Sequence, residues 1–202
     1  MSKKLYEKAF GNEKKFVDLC RLQLQGKNYV VISNNKSKYK IDVLIMKNNR
    51  ETIISTVEFE VISEEGYNPI KPDKTPRFKD LHCPIEKKEM LLNEKNTWYV
   101  RVNKEFNEKI DSLDSLVNLG NTVLGYVIKG TRLKKYPTEQ TLAYTPKDNF
   151  TKKIKREFIQ CDPKDINCKI GTVIELIDFI YERLGIIKIQ NTRKLSGWFL
   201  NV

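Results

Sequence analysis

The sequence predicts an α/β fold in which a central mixed β-sheet is flanked by helices. Three observations lead to this prediction. Apolar residues recur with helical period through residues 5–25. Three strand-like segments joined by short polar turns follow between residues 28 and 62. A strand, a weakly helical segment and another strand then succeed one another between residues 97 and 128, an alternation that is typical of helices packed on a sheet.

The first helix and the three strands after it form the best-defined part of the pattern. The helical stripe is interrupted near Gly11, and Gly26 ends the helix in the usual way. The segments rich in Ile, Val and Thr, which favour strands, are residues 28–33, 38–47 and 51–62. Because the polar turns between them are short, the three strands are expected to form an antiparallel meander.

The middle of the chain predicts a long loop followed by a helix and two strands. Residues 63–80 are polar and rich in proline, and a loop of this length in a compact domain is often functional. Pro84 can occupy the first position of a helix that continues through residue 95. The strand-like segments are residues 97–103 and 122–128, with weakly helical residues 104–118 between them.

The pattern weakens beyond Gly130, with one clear exception. Residues 172–184 carry apolar side chains at helical spacing, and Gly185 ends that helix. We therefore expect two parts in the chain. Residues 1–130 form the core, and residues 131–202 form a basic C-terminal α+β appendage packed on it.

The charge balance indicates a polyanionic partner. The chain has 37 Lys and Arg against 26 Asp and Glu, a net charge of +11 at pH 7. Nucleic acid is the commonest partner of so basic a protein. The excess is spread along the chain, and its densest run is residues 152–156. A basic surface without a partner is the alternative interpretation, since a solvated helix face would carry the same run.

Other features of the composition argue against a membrane or secreted protein. No run approaches the roughly 18 apolar residues of a membrane span, and residues 1–8 lack the apolar stretch of a secretory signal. Four cysteines in 202 residues are too few for a disulfide framework. We therefore expect a cytoplasmic protein in a reducing compartment.

Three carboxylates are expected to converge on one face of the meander. Asp42 lies inside an apolar strand segment, where Asp is uncommon. Glu58 and Glu60 lie in the next segment and share one face, because side chains alternate along a strand. Like charges this close repel unless they are compensated, and a hard cation such as Mg²⁺ is the usual compensation. The alternative is a solvent-facing row of Glu on an exposed strand.

These elements and acids, in this order, resemble the PD-(D/E)XK, or restriction-endonuclease-like, nucleases. The resemblance covers roughly residues 5–105. It is carried by the helix start at residues 11–13, the helix end at Gly26, the strand at 29–32, the segments 40–45 and 57–61, and the strand at 98–103. It implies a restriction-endonuclease-like core and a Mg²⁺-dependent endodeoxyribonuclease that hydrolyses phosphodiester bonds, with Mn²⁺ able to substitute.

The resemblance also implies roles for individual acids. Asp42 is similar to the family's metal-binding Asp, and Glu58 to the first acid of its (D/E)-x-K motif. Glu13 is similar to the helix acid that often completes the metal site. Enzymes of restriction, of mobile elements and of phages would all carry this pattern.

One position departs from the family motif. The family has Lys two residues after the acid, and this chain has Glu60. Some restriction enzymes look similar there, and the lysine can come from the neighbouring helix, which makes Lys87 and Lys88 candidates. Lys40, on the same strand face as Asp42, is a third. Glu60 or one of these lysines would orient or deprotonate the attacking water. Degenerate members bind nucleic acid without cutting it, so a non-catalytic binding protein is the alternative function.

Basic residues near the acids and in the C-terminal part are candidate DNA contacts. They are Lys40, Arg77, Lys79, Arg101, Lys152, Lys153, Lys155 and Arg156. His82, the only histidine, lies just before the Pro84 helix, where a structural role is the commoner one. Cutting both strands of DNA would be easiest for a symmetric homodimer, although no dimer motif is visible.

Overall fold

The structure is a computed structural model that describes residues 3–34, 41–49, 51–63, 67–93, 96–144 and 153–187. Its helices are α1 (Lys3–Gln23), α2 (Lys88–Asn93), α3 (Leu113–Thr122) and α4 (Val173–Arg183). Its strands are β1 (Tyr29–Ser33), β2 (Val43–Lys47), β3 (Ile53–Val61), β4 (Leu81–Pro84), β5 (Thr97–Val102), β6 (Leu124–Lys129), β7 (Thr138–Tyr144), β8 (Lys153–Cys161) and β9 (Cys168–Thr172). Short 3₁₀ helices span Ile85–Lys87, Lys104–Asn107 and Gly130–Lys135.

The central sheet has six strands in the order β1-β2-β3-β5-β6-β9. β3 and β5 run parallel, and the other neighbours are antiparallel. Strands β4, β8 and β7 form a second, antiparallel sheet. The predicted α/β class, with a mixed central sheet flanked by helices, is therefore confirmed, and the predicted antiparallel meander is β1-β2-β3.

Helices α1, α3 and α4 cover one face of the central sheet. Phe16, Leu19 and Cys20 are buried at the three- and four-residue spacing of a helix face turned towards a core. The ring of Phe16 stacks on that of Phe59 from β3, with 4.2 Å between centroids. A Cβ on Gly120 of α3 would lie 2.9 Å from Leu19 Cδ2, so glycine allows this close approach of α3 to α1.

The other face of the central sheet packs against α2 and the second sheet. Tyr99 and Tyr126 project from β5 and β6 into this second core, where they meet Leu91 of α2. Cys83 of β4 and Ile159 of β8 close it from the other side. The candidate acids lie at the border of this layer, which makes the second sheet part of their surroundings.

Several predicted boundaries are wrong in detail. Helix α1 runs through Gly11 without the interruption that the apolar spacing suggested. The second strand begins at Val43, so Asp42 lies one residue before β2 and not inside it. The helix predicted from Pro84 is a 3₁₀ turn followed by the short α2. Residues 104–118 contain a 3₁₀ helix and the start of α3.

The chain on both sides of Gly130 contributes to the same sheet and the same core. β9 pairs with β6 and forms an edge of the central sheet. Helix α4 begins with a capping box between Thr172 and Glu175. It buries most of its apolar side chains in the main core, and the Tyr181 hydroxyl donates to the Cys20 carbonyl at 3.0 Å. Residues on both sides of Gly130 therefore share one sheet and one core.

The interior also accounts for the cysteines. Cys20, Cys83, Cys161 and Cys168 are all free and buried. Burial raises the pKa of Cys20 to about 12, because its surroundings disfavour the thiolate. In the ranges that the structure describes, no helix combines the length and apolar character needed to cross a membrane.

Candidate functional site

Strand pairing places Asp42 opposite Glu58. In the antiparallel pair of β2 and β3, Val43 faces Val57, so the next residues outward, Asp42 and Glu58, are expected to face each other on one side of the sheet. The Asp42 carboxylate accepts a hydrogen bond from the Phe59 amide at 2.9 Å. The Asn34 amide donates to the Asp42 carbonyl at 2.7 Å, which holds the backbone beside β1. Asp42 is thus fixed at the start of β2 with its carboxylate turned towards β3.

The parallel pair of β3 and β5 adds a second row to this face. Glu58 is in register with Tyr99, and Glu60 is in register with Arg101. The Tyr99 hydroxyl donates to Glu60 Oε2 at 2.5 Å, and Arg101 Nη2 lies 3.4 Å from Glu60 Oε1. Glu60, which stands where the nuclease motif has its lysine, is therefore neutralised by Arg101 of the neighbouring strand β5.

Lys87 is the lysine that reaches the acids. It ends the 3₁₀ turn after Pro84, and its ammonium donates a hydrogen bond to Glu58 Oε1 in an ion pair. Glu58 is almost fully buried, with 4% of its surface exposed, whereas about a third of the Lys87 side chain is exposed. Lys88, the first residue of α2, makes no ion pair with the residues that the structure describes.

Burial and mutual repulsion weaken the acidity of three carboxyl groups. Burial, followed by the charge of Asp42, raises the pKa of Glu58 to about 7, and the nearby Lys87 only partly opposes this. Burial raises the pKa of Asp42 to about 6, although the Phe59 hydrogen bond favours the charged form. Burial and the charge of Glu58 raise the pKa of Glu13, on α1, to about 7. These groups are poised to lose their protons near neutral pH.

The donor atoms of this site fit a hard divalent cation. Glu13 Oε1 and Glu58 Oε2 are buried oxygens without a hydrogen-bond partner among the residues that the structure describes, and such atoms are costly unless something binds them. The described ranges contain no group of three or more His, Cys, Asp and Glu side chains that could hold a metal by itself. Mg²⁺ is usually held by one or two carboxylates together with waters and substrate phosphates. Asp42 and Glu58 meet that smaller requirement.

The remaining predicted residues are placed differently from one another. Arg77 is exposed, lies 5.6 Å from the ring centroid of Tyr67 and donates to the Asn68 carbonyl at 2.8 Å. Lys79 is also exposed. Arg101 is mostly buried against Glu60, so its placement does not favour the predicted contact with phosphate. Lys40, Lys152 and the side chains of Lys153, Lys155 and Arg156 lie outside the described residues.

Tyr99 and Arg101 are the functional neighbours that the sequence analysis did not identify as a pair. The signal was a matching spacing: Tyr99 and Arg101 are two residues apart in one strand, as Glu58 and Glu60 are in another. The two pairs come into contact only because β3 and β5 are parallel and in a register that places Glu58 beside Tyr99 and Glu60 beside Arg101. Tyr99 and Tyr126 are deeply buried around the arginine, and burial, together with the nearby charge of Glu60, keeps the pKa of Tyr99 well above its usual value.

Without divalent cations, we expect the protein to lose stability as the pH rises from 5 to 8. Glu58 binds its proton more tightly in the folded state, where its pKa is about 7, than in the unfolded chain. Its stabilising contribution is complete below the unfolded pKa and disappears as the pH passes through the folded one. For Glu58 alone the loss amounts to about 2 kcal/mol. Urea unfolding in EDTA at several pH values measures it.

The control for this prediction is a Glu→Gln substitution at an exposed position outside the site. Glu58→Gln is expected to flatten the pH dependence, whereas Glu139→Gln, at an exposed position of β7, is expected to leave it unchanged. A slope that is equal in the wild type and in Glu58→Gln would contradict the assignment of the buried proton to this site.

Comparison with known proteins adds no family to this geometry. No protein-family model, no curated protein and no solved structure matches the chain. The function is therefore inferred from the arrangement of the side chains.

Proposed function

We propose that this protein is a metal-dependent endonuclease that hydrolyses phosphodiester bonds in DNA, with Mg²⁺ as its cofactor and Mn²⁺ as a substitute. One observation carries the proposal. The Asp42 carboxylate is bonded to the backbone amide of Phe59, the residue next to Glu58, and Lys87 is bonded to Glu58. The net charge of +11 supplies the attraction to a polyanionic substrate.

The reaction needs an activated water and stabilisation of the charge on the phosphate. A bound divalent cation supplies both by lowering the pKa of water and by neutralising phosphate oxygens. Asp42 and the free oxygen of Glu58 would hold the cation, and Glu13 would contribute its own unpartnered oxygen, directly or through water. The raised pKa values of all three acids imply that these residues take up the cation in exchange for protons.

Lys87 suits the role of the motif lysine better than Glu60 does. Burial lowers its pKa, but the carboxylates of Glu58, Asp42 and Glu60 outweigh this and leave the pKa above the usual value. Lys87 therefore stays protonated at neutral pH. It would orient the attacking water or stabilise the phosphate through its N–H donors, and would not act as a base. Glu60 is already engaged by Tyr99 and Arg101.

A non-catalytic nucleic-acid-binding protein is the second candidate. It is favoured by Glu60 at the motif lysine position and by the lack of a complete three-residue ligand group among the described residues. This alternative keeps the basic surface and the fold but needs no bound cation. The two candidates predict different results in one assay.

The test is incubation of the protein with supercoiled plasmid in Mg²⁺, in Mn²⁺ and in EDTA. The proposal expects nicked or linear plasmid with either cation and none in EDTA. A protein that binds DNA with steep salt dependence but leaves the plasmid intact in both cations would support the second candidate. A protein that neither binds nor cuts DNA would refute both.

A further inference from the structure

Three aromatic rings are stacked along the outer side of the second sheet. Phe78 lies on His82 with 5.2 Å between centroids and 13° between planes. His82 lies against Phe158 with 5.6 Å between centroids and 31° between planes. Phe158 is almost buried, whereas 49% of Phe78 is exposed. The stack therefore begins inside the protein and ends in a ring that is half open to solvent.

The strand register and one hydrogen bond fix the position of His82, the middle ring of the stack. In the pair of β4 and β8, Leu81 faces Cys161 and Cys83 faces Ile159, and all four belong to the second core. His82 alternates with them and projects to the other side. The Tyr126 hydroxyl donates to the His82 carbonyl at 2.5 Å, which anchors this point of β4 to the central sheet. Phe78 thus rests on a supported ring.

The stack carries no positive charge of its own but has cations near it in the chain. Burial, and then the charge of Arg101, lower the pKa of His82, so its ring is neutral at pH 7. Asp80 and Glu139 act in the opposite direction. Lys79 directly follows Phe78 and is exposed. The sequence of β8, which carries Phe158, opens with Lys153, Lys155 and Arg156.

The stack is also close to the candidate acids. Lys87 lies five positions after His82 in the sequence, a separation that a fully extended chain spans in at most about 18 Å. Cys83, the neighbour of His82, lies close enough to Glu60, Arg101 and Glu58 for their charges to affect its pKa, which burial raises. The exposed ring of Phe78, whose centroid is 5.2 Å from that of His82, therefore lies within the length of a few nucleotides of a phosphate at Glu58.

We propose that Phe78 is a stacking platform for an unpaired nucleobase, and that the substrate is DNA with single-stranded bases beside the scissile phosphate. This rests on the proposed function for its nucleic-acid partner. One exposed flat ring followed in the chain by the exposed Lys79 matches one base and its phosphate, because every base offers a stacking face and the backbone supplies the negative charge. Double-stranded DNA keeps its bases stacked on one another and offers none to the ring.

The test measures binding in EDTA, where no cleavage occurs. Single-stranded oligonucleotides carrying the fluorescent base 2-aminopurine at successive positions are titrated with the wild type and with Phe78→Leu, which keeps an apolar side chain but removes the ring. We expect Phe78→Leu to bind the single strand about tenfold more weakly, and to lose the fluorescence quenching seen at one position with the wild type. Phe78→Trp is expected to retain both. Affinity for duplex DNA should change less than twofold.

Leu113→Ala provides the matched control, since Leu113 is an exposed apolar side chain at the start of α3. It should alter neither affinity. Unchanged single-strand binding by Phe78→Leu, or an equal loss for single-stranded and duplex DNA, would overturn the platform. The two proposals fail separately. A single-stranded oligonucleotide and a plasmid both left intact in Mg²⁺ and in Mn²⁺, together with a Phe78-dependent single-strand affinity, would refute hydrolysis alone, whereas metal-dependent cutting with no effect of Phe78→Leu would refute the platform alone.

Discussion

Asp42→Ala is expected to reduce Mg²⁺-dependent cleavage of plasmid DNA by at least about 1000-fold, since a bound cation supplies several kcal/mol of transition-state stabilisation. DNA affinity should change by less than about threefold, because binding is dominated by cations spread over the surface. Asp42, one residue before β2, has its carboxylate bonded to the Phe59 amide, directly beside Glu58 of β3. Plasmid cleavage rates and a filter-binding assay measure the two effects.

A second variant separates the charge of Asp42 from its structural contact. Asp42→Asn keeps an oxygen that can accept the hydrogen bond from the Phe59 amide, but it removes the negative charge. Asp42→Ala leaves that amide unpaired, at a cost of about 1–3 kcal/mol in the free energy of unfolding. Both variants should be inactive, and only Asp42→Ala should unfold at lower denaturant concentration.

Asp114→Asn is the matched control, because Asp114 is an exposed acid on α3. It should cut plasmid at the wild-type rate. Full activity in Asp42→Asn would refute the metal-binding role of Asp42. If Asp42→Asn is active and Asp42→Ala is not, the side chain of Asp42 serves only to bind the Phe59 backbone amide.

The facing acids could be predicted because their geometry is local. Glu58 and Glu60 share a face through the alternation of a single strand, and a short hairpin brings Asp42 opposite them. Neither inference needs knowledge of distant parts of the chain. Asp42 lies one residue outside β2, and its carboxylate still reaches β3 through the hydrogen bond from the Phe59 amide.

The partners of these acids could not be predicted because they depend on distant pairing. Arg101 meets Glu60 through the parallel register of β3 and β5, which no turn specifies. β4 is only four residues long, and it becomes a strand by pairing with β8, which lies far along the sequence. A short segment that ends in proline has little strand character of its own.

The choice between neighbouring lysines is a further case. Lys87 and Lys88 are adjacent, and a regular helix from Pro84 would not have indicated which one faces the acids. The 3₁₀ turn over Ile85–Lys87 ends at Lys87 and directs it to Glu58. The same lack of local signal applies to β9, which contains Gly171 and joins the sheet through its pairing with β6.

Lys87→Met is expected to slow cleavage by about 100- to 1000-fold, the usual cost of removing one preorganised donor to a reacting group. Methionine keeps the length and the apolar stem of the lysine but has no charge and no N–H donors. Lys88→Met is the matched control, since Lys88 is the next residue and makes no ion pair with the described residues. Single-turnover cleavage rates with Mg²⁺ measure the effect, and DNA affinity should stay within threefold of the wild type.

Loss of activity in Lys87→Met could also arise from a misfolded site, because the substitution leaves Glu58 buried without its counter-charge. The double variant Lys87→Met/Glu58→Gln removes both charges, so we expect it to unfold at a higher denaturant concentration than Lys87→Met while remaining inactive. If Lys87→Met cuts plasmid at the wild-type rate, lysine has no part in the reaction at this site. If Lys88→Met is the inactive variant instead, the ion pair with Glu58 is only structural and the donor to the phosphate comes from α2.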